Sequence, residues 1–106
     1  MKLLTKTIEK SLPAMRSQES KPASEVRIRA KFFNPIGAGT WYATEYDPDE
    51  RLFFGFVTLG DPQNAELGYF SLDELASVQL RFGLGIERDI HWDDTTTLQT
   101  VMDRGW

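Results

Sequence analysis

Four side chains near the carboxyl-terminal end of the sequence are of types that bind metal ions. Glu87, Asp89, His91 and Asp93 occupy alternate positions. A β-strand would place them on one face, with neighbours roughly 6.5–7 Å apart. Carboxylates and an imidazole arranged in this way can coordinate Mg²⁺, Mn²⁺ or Zn²⁺. One hypothesis is therefore a metal-dependent hydrolase. The alternative is a strand face that is solvated or paired with basic side chains.

A row of basic side chains offers that second explanation. Arg27, Arg29 and Lys31 alternate with apolar residues across residues 25–32, which is the clearest half-buried strand pattern in the sequence. If the acidic and basic strands were neighbours, their side chains would form cross-strand ion pairs. The basic row could instead bind nucleic acid, because cations contact phosphates while aromatic rings stack on bases. Aromatic residues follow closely: Phe33, Trp41 and Tyr42. The acidic pI of about 4.9 argues against that use.

Composition excludes several other chemistries. The 106 residues contain no cysteine and one histidine. Disulfide scaffolds, thiolate zinc sites, cysteine nucleophiles and multi-histidine metal centres are therefore excluded. The serines lack the motif of a nucleophile elbow. We expect no cofactor, and a non-enzymatic role is favoured over catalysis.

Charge is distributed unevenly along the sequence. The net charge is −4, with eight basic and three acidic side chains in residues 1–31 and four basic and thirteen acidic ones in residues 32–106. Such asymmetry either neutralises itself within the fold or steers a charged partner. The first residues lack the apolar run of a signal peptide, and no stretch is long enough for a membrane span. We therefore expect a cytoplasmic protein without membrane association.

The elements that must position these residues follow from periodicity and turn chemistry. Apolar spacing predicts a helix over residues 4–12 with Thr5 as its N-cap, followed by a polar linker at 17–24. A capping box formed by Ser71 and Glu74 predicts a second short helix, and residues 94–97 can cap a third that carries Leu98, Val101 and Met102. Strands are predicted at 25–32, 40–46, 51–59, 67–70 and 86–92. The sequence predicts one α+β domain over residues 1–106, with a mainly antiparallel sheet of four to five strands and short flanking helices.

Aromatic residues are more numerous than such short helices can cover. There are thirteen in 106 residues. Neighbours such as Trp41 and Tyr42 point to opposite faces of a strand, so some rings need cover from outside the main core. An uncovered aromatic patch is typical of a partner-binding site. The predicted anchors are Trp41, Tyr42, Tyr46 and Phe54, with Asp47, Asp49 and Glu50 as the charged rim. These observations favour a protein-interaction module.

Five segments together resemble a known family. They are Ala30–Pro35, Thr40–Pro48, Leu52–Gly55, Glu66–Leu75 and Gly83–Asp89. In this order they are similar to a family of small bacterial proteins classed as a domain of unknown function. The resemblance implies carriage on plasmids, conjugative elements and phages, and hence an accessory role such as inhibition of a host defence complex of the CRISPR or restriction type. It implies no catalytic residue.

Overall fold

A five-stranded antiparallel sheet organises the chain, in the order β4-β3-β2-β1-β5. The computed structural model describes residues 1–104, so Gly105 and Trp106 of the predicted domain lie outside the described residues. The strands are Ala30–Phe33 (β1), Thr40–Asp47 (β2), Leu52–Thr58 (β3), Glu66–Ser71 (β4) and Glu87–Arg88 (β5). The helices are Lys6–Ser11 (α1), Leu72–Ser77 (α2) and Leu98–Asp103 (α3), with 3₁₀ turns at Ala23–Glu25, Pro62–Asn64 and Arg81–Gly83. The predicted α+β fold is confirmed.

Apolar side chains pack on both faces of this sheet. On the face that we call the front face, the buried ring of Phe53 lies between the rings of Phe32, Tyr46 and Phe70, with centroid distances of 4.7–5.3 Å. The front face is covered by the amino-terminal segment, α1 and α2 through Leu3, Leu4, Ile8, Leu12, Leu72 and Leu75. On the opposite face, the back face, Tyr42 and Phe56 pack under Val26, Ile28, Trp92, Leu98 and Val101.

Two helices begin at the predicted caps, and the third begins at the last residue of the predicted capping segment 94–97. Thr5, Ser71 and Thr97 each accept a hydrogen bond through the side-chain oxygen from the backbone N–H three residues later, at 3.1–3.2 Å. Such bonds satisfy donors that the first helical turn leaves unpaired. The local sequence therefore determines where each short helix begins.

The predicted strand at 25–32 is shorter in the structure and changes face within its length. Val26 and Ile28 belong to the back-face cluster, whereas Ala30 and Phe32 belong to the front-face cluster. The N–H of Ile28 donates to the carbonyl of Thr96 at 2.8 Å, so this part of the chain pairs with the segment before α3. The alternation therefore correctly marked buried positions but was wrong in assigning them to one face.

The predicted strand at 86–92 is reduced to two residues, Glu87 and Arg88, paired with β1. The chain then turns, because the Asp89 carboxylate accepts the backbone N–H of His91 at 2.9 Å. Arg88 is tied to the amino-terminal segment, since its guanidinium donates to the carbonyls of Lys2 and Leu3. No helix among residues 1–104 is long and apolar enough to cross a membrane.

Candidate functional site

The predicted metal ligands do not form a row. Only Glu87 lies in a strand, while Asp89, His91 and Asp93 lie in the turns that follow. The Asp93 carboxylate accepts hydrogen bonds from the hydroxyl and the N–H of Thr95 at 2.7 and 2.9 Å, and these bonds lower the pKa of Asp93. Within the described part of the chain, no group of three or more His, Asp or Glu side chains could hold a metal ion.

The predicted basic row is also divided. Arg27 pairs with the carboxylate of Asp94 at 3.1 Å. Burial, followed by the repulsion from Arg27, lowers the pKa of Arg29. Lys31 lies on the back face, with its ammonium 5.9 and 5.8 Å from the ring centroids of Tyr42 and Trp92. The three cations therefore differ in their surroundings: Arg27 is ion-paired, Arg29 is partly buried and Lys31 lies beside aromatic rings.

The acidic and basic strands are neighbours in the sheet, because β5 pairs with β1, but the ion pairs found among residues 1–104 do not join these two strands. The register places Arg88 opposite Phe32 and Glu87 opposite Phe33. The acidic strand therefore pairs with residues that follow Arg27 and Arg29 in the sequence, and not with these two arginines. The charge of Arg27 is compensated instead by Asp94, which lies in a turn.

A β-bulge separates the predicted anchors. Between Ala43 and Glu45 the register of β2 shifts against β3, which reverses the side-chain alternation. Tyr42 therefore lies buried on the back face, and Tyr46 lies buried on the front face. Trp41 is half-buried on the front face, and Phe54 is half-buried on the back face. The predicted rim forms the turn after β2, where the Asp47 carboxylate accepts the backbone N–H groups of Asp49 and Glu50.

Burial of the two tyrosines predicts a loss of stability at alkaline pH. Desolvation raises the pKa values of Tyr42 and Tyr46 above the usual 10.0. A raised folded-state pKa gives stability that is fully present below pH 10.0 and is lost as the pH rises through the raised value. Urea unfolding on either side of pH 10.0 should therefore show a smaller alkaline loss for a Y42F/Y46F double variant. Equal losses in both proteins would contradict this assignment.

Phe54 lies in an open groove on the back face. Its ring contacts that of Tyr69 in an edge-on arrangement, with centroids 5.1 Å apart, and Leu67 lies two residues before Tyr69 on β4. Tyr69 is 56% exposed and Leu67 is 45% exposed. The groove has a volume of about 320 Å³, and its lining also includes Glu45, Leu98 and Met102. We call it the back-face groove.

The buried carboxylate of Glu45 fixes the chain segment beside this groove. Glu45 is 4% exposed, and its two oxygens accept the backbone N–H groups of Arg16 and Gln18, each at 2.9 Å. The adjacent N–H of Tyr46 donates to the carbonyl of Pro13 at 3.0 Å. Residues 13–18 are thereby held against β2 beyond the bulge, where Arg16 and Gln18 line the groove.

Sequence reasoning included Phe54 but missed Leu67 and Tyr69. The alternation of side chains along a strand could have placed Leu67 and Tyr69 on the back face, because Tyr69 and the buried Phe70 must point to opposite faces of β4. Phe82 is also exposed, at 86%, and has a positive φ of 64°, but it does not line the groove.

These features define a small α+β protein with an antiparallel sheet, an apolar cluster on each face of it and an apolar groove on the back face beside one edge strand. A family model described as "Protein of unknown function (DUF2958)" matches residues 3–104, and the chain belongs to this family. The comparisons with curated proteins and with solved structures found no match. The resemblance to an uncharacterised family is thus confirmed.

Proposed function

We propose that this protein is a non-enzymatic, cytoplasmic interaction module of a mobile genetic element and that a protein partner binds the back-face groove. The observation that carries the proposal is the cluster formed by the half-buried Phe54 and the exposed Leu67 and Tyr69. The groove beside this cluster offers a concave apolar surface of the kind that anchors a partner side chain.

The chemistry of these residues suits protein recognition. Tyrosine is enriched among the residues that dominate binding energy, because its ring buries a large apolar area and its hydroxyl still bonds to water or a partner. Tyr69 is already oriented by the ring of Phe54, so binding costs little additional side-chain entropy. Leu67 extends the apolar surface along the same strand.

We further propose that the partner belongs to a host defence complex of the CRISPR or restriction type. The carriage on plasmids, conjugative elements and phages that the sequence resemblance implies supports this choice. The net charge of −4 also supports it, because complexes that handle nucleic acid present basic surfaces. An acidic protein would be attracted to such a surface.

Replacing Tyr69 with alanine tests the proposal. The tagged wild-type protein should retain a partner from host extract, and Tyr69→Ala should weaken binding of that purified partner by about tenfold or more. The same variant should lose protection of phages or plasmids in a host that carries the corresponding defence system.

Phe82→Ala supplies the matched control. It also removes one exposed aromatic ring, but from the turn at Arg81–Gly83. We expect it to bind like the wild type. Equal binding by folded Tyr69→Ala, or equal losses in the two variants, would contradict a site at the groove.

A further inference from the structure

Strand β4 forms one edge of the sheet. The opposite edge is β5, which is two residues long and is followed by turns. Strand β4 is six residues long, and its pairing with β3 is regular from Glu66 to Ser71. The sheet therefore has one long edge and one short edge.

The backbone of β4 presents unpaired groups at this edge. The N–H of Leu72 donates to the carbonyl of Arg51 at 3.0 Å, which sets the phase of the antiparallel ladder. Along an antiparallel ladder, residues whose backbone groups bond to the neighbouring strand alternate with residues whose groups point away from it. The backbone N–H and C=O groups of Gly68 and Phe70 therefore bond to β3, whereas those of Leu67 and Tyr69 point outward. Within residues 1–104, no backbone hydrogen bond outside the sheet ladders involves either residue.

Proline, lysine and a bulge, three of the usual protections of an exposed edge, are missing from this strand. Natural edge strands are blocked by proline, lysine, a bulge or a covering element. The sequence of β4 contains neither proline nor lysine, and its register with β3 has no bulge. The outward backbone groups of Leu67 and Tyr69 are therefore open to an added strand.

We propose that the partner adds an extended segment to β4 as a sixth strand and places an apolar side chain in the back-face groove. This inference rests on the proposed function. The residues whose backbone groups point outward, Leu67 and Tyr69, are also those whose side chains line the groove. One added strand would therefore make backbone hydrogen bonds and fill the groove at the same time.

Charges near the edge specify the ends of that segment. Glu66 is the first residue of β4, Asp61 lies before the turn at Pro62–Asn64 that precedes the strand, and Asp73 and Glu74 lie just after it. Asp73 is paired with Arg51 at 2.8 Å, and the other three carboxylates are exposed. Two cationic side chains, Arg16 and Lys21, line the groove. A partner segment with apolar residues at its centre and Lys or Arg at both ends complements this pattern.

A synthetic peptide of alternating valine and threonine with lysine at both ends provides the probe. With millimolar peptide, we expect NMR to show slower amide hydrogen exchange at Leu67 and Tyr69. Methylation of the peptide nitrogens that face β4 should weaken binding by about tenfold or more, while methylation of the alternate nitrogens should not. The same peptide with glutamate at both ends should bind more weakly.

Several results would overturn the strand addition. These are unchanged exchange at Leu67 and Tyr69 with the peptide, equal effects of the two methylation patterns, or tighter binding of the glutamate peptide. If Tyr69→Ala abolishes partner capture but the peptide leaves both amides unprotected, the groove remains the site and strand addition fails. If Tyr69→Ala retains full capture, the proposed function fails and this inference fails with it.

Discussion

Replacing Gly55 with alanine should unfold the protein or destabilise it by about 3 kcal/mol or more. Gly55 lies in the middle of β3, opposite Ala43 of β2. A Cβ at this position would lie 1.7 Å from the carbonyl oxygen and 2.8 Å from the carbonyl carbon of Tyr42. Both contacts are with the backbone of a central strand, so no side-chain rotation can relieve them, and β2 must move away from β3.

Gly68 provides a matched control for this substitution. It lies directly opposite Gly55 on β4, but a Cβ there would meet nothing within 4 Å. Gly68→Ala should therefore be neutral or raise the free energy of unfolding by about 0.4–1 kcal/mol through reduced entropy of the unfolded chain. Urea unfolding followed by circular dichroism measures both variants. Wild-type stability of Gly55→Ala would show that β2 and β3 are not packed as described.

Replacing Glu45 with alanine should be the second most damaging change. The substitution removes the acceptor from the N–H groups of Arg16 and Gln18. A hydrogen bond to a charged acceptor contributes about 1.5–3 kcal/mol. Both bonds are only partly buried, so water replaces part of what is lost, and we expect a total loss of about 2–4 kcal/mol. The free energy of unfolding from urea titration measures this loss.

A glutamine at position 45 separates the hydrogen bonds from the packing. The amide keeps the volume of the side chain and one acceptor oxygen, but its NH₂ group faces a donor. Glu45→Gln should therefore lose about half as much stability as Glu45→Ala. Hydrogen exchange in residues 13–18 should accelerate in both variants. Unchanged exchange there would show that Glu45 does not hold this segment.

Local features of the sequence predicted much of this fold. Thr5 and Ser71 identified the starts of α1 and α2, because a cap is an interaction between residues three positions apart. The strands β2, β3 and β4 were placed to within one or two residues by β-branched and aromatic runs between turn residues. In each case the determining contacts lie close together in the sequence.

Assignment of side chains to faces was less predictable, because it depends on contacts that are distant in the sequence. Without the bulge after Ala43, Tyr42 and Tyr46 would share one face. No glycine marks this bulge, and it is supported by Pro13 and Glu45, which hold residues 13–18 beside β2. Periodicity alone could not reveal that support.

The candidate site was predicted only in part. Phe54 was named as an anchor and lies in the groove, but the residues around it come from four separated segments. The acidic residues after Arg88 were expected to continue a strand, yet the Asp89 carboxylate bonds to the chain's own backbone. Aspartate competes for backbone donors in this way, which favours turns over extended strands.

The bonds from Arg88 to the amino-terminal segment have a consequence for synthesis of the protein. Leu3 and Leu4 complete the front-face cluster, and the Arg88 guanidinium holds their segment in place. A ribosome makes residues 1–4 long before it makes Arg88. During translation the front aromatic rings therefore emerge without their full cover, and chaperone binding to the nascent chain should persist until β5 has left the exit tunnel.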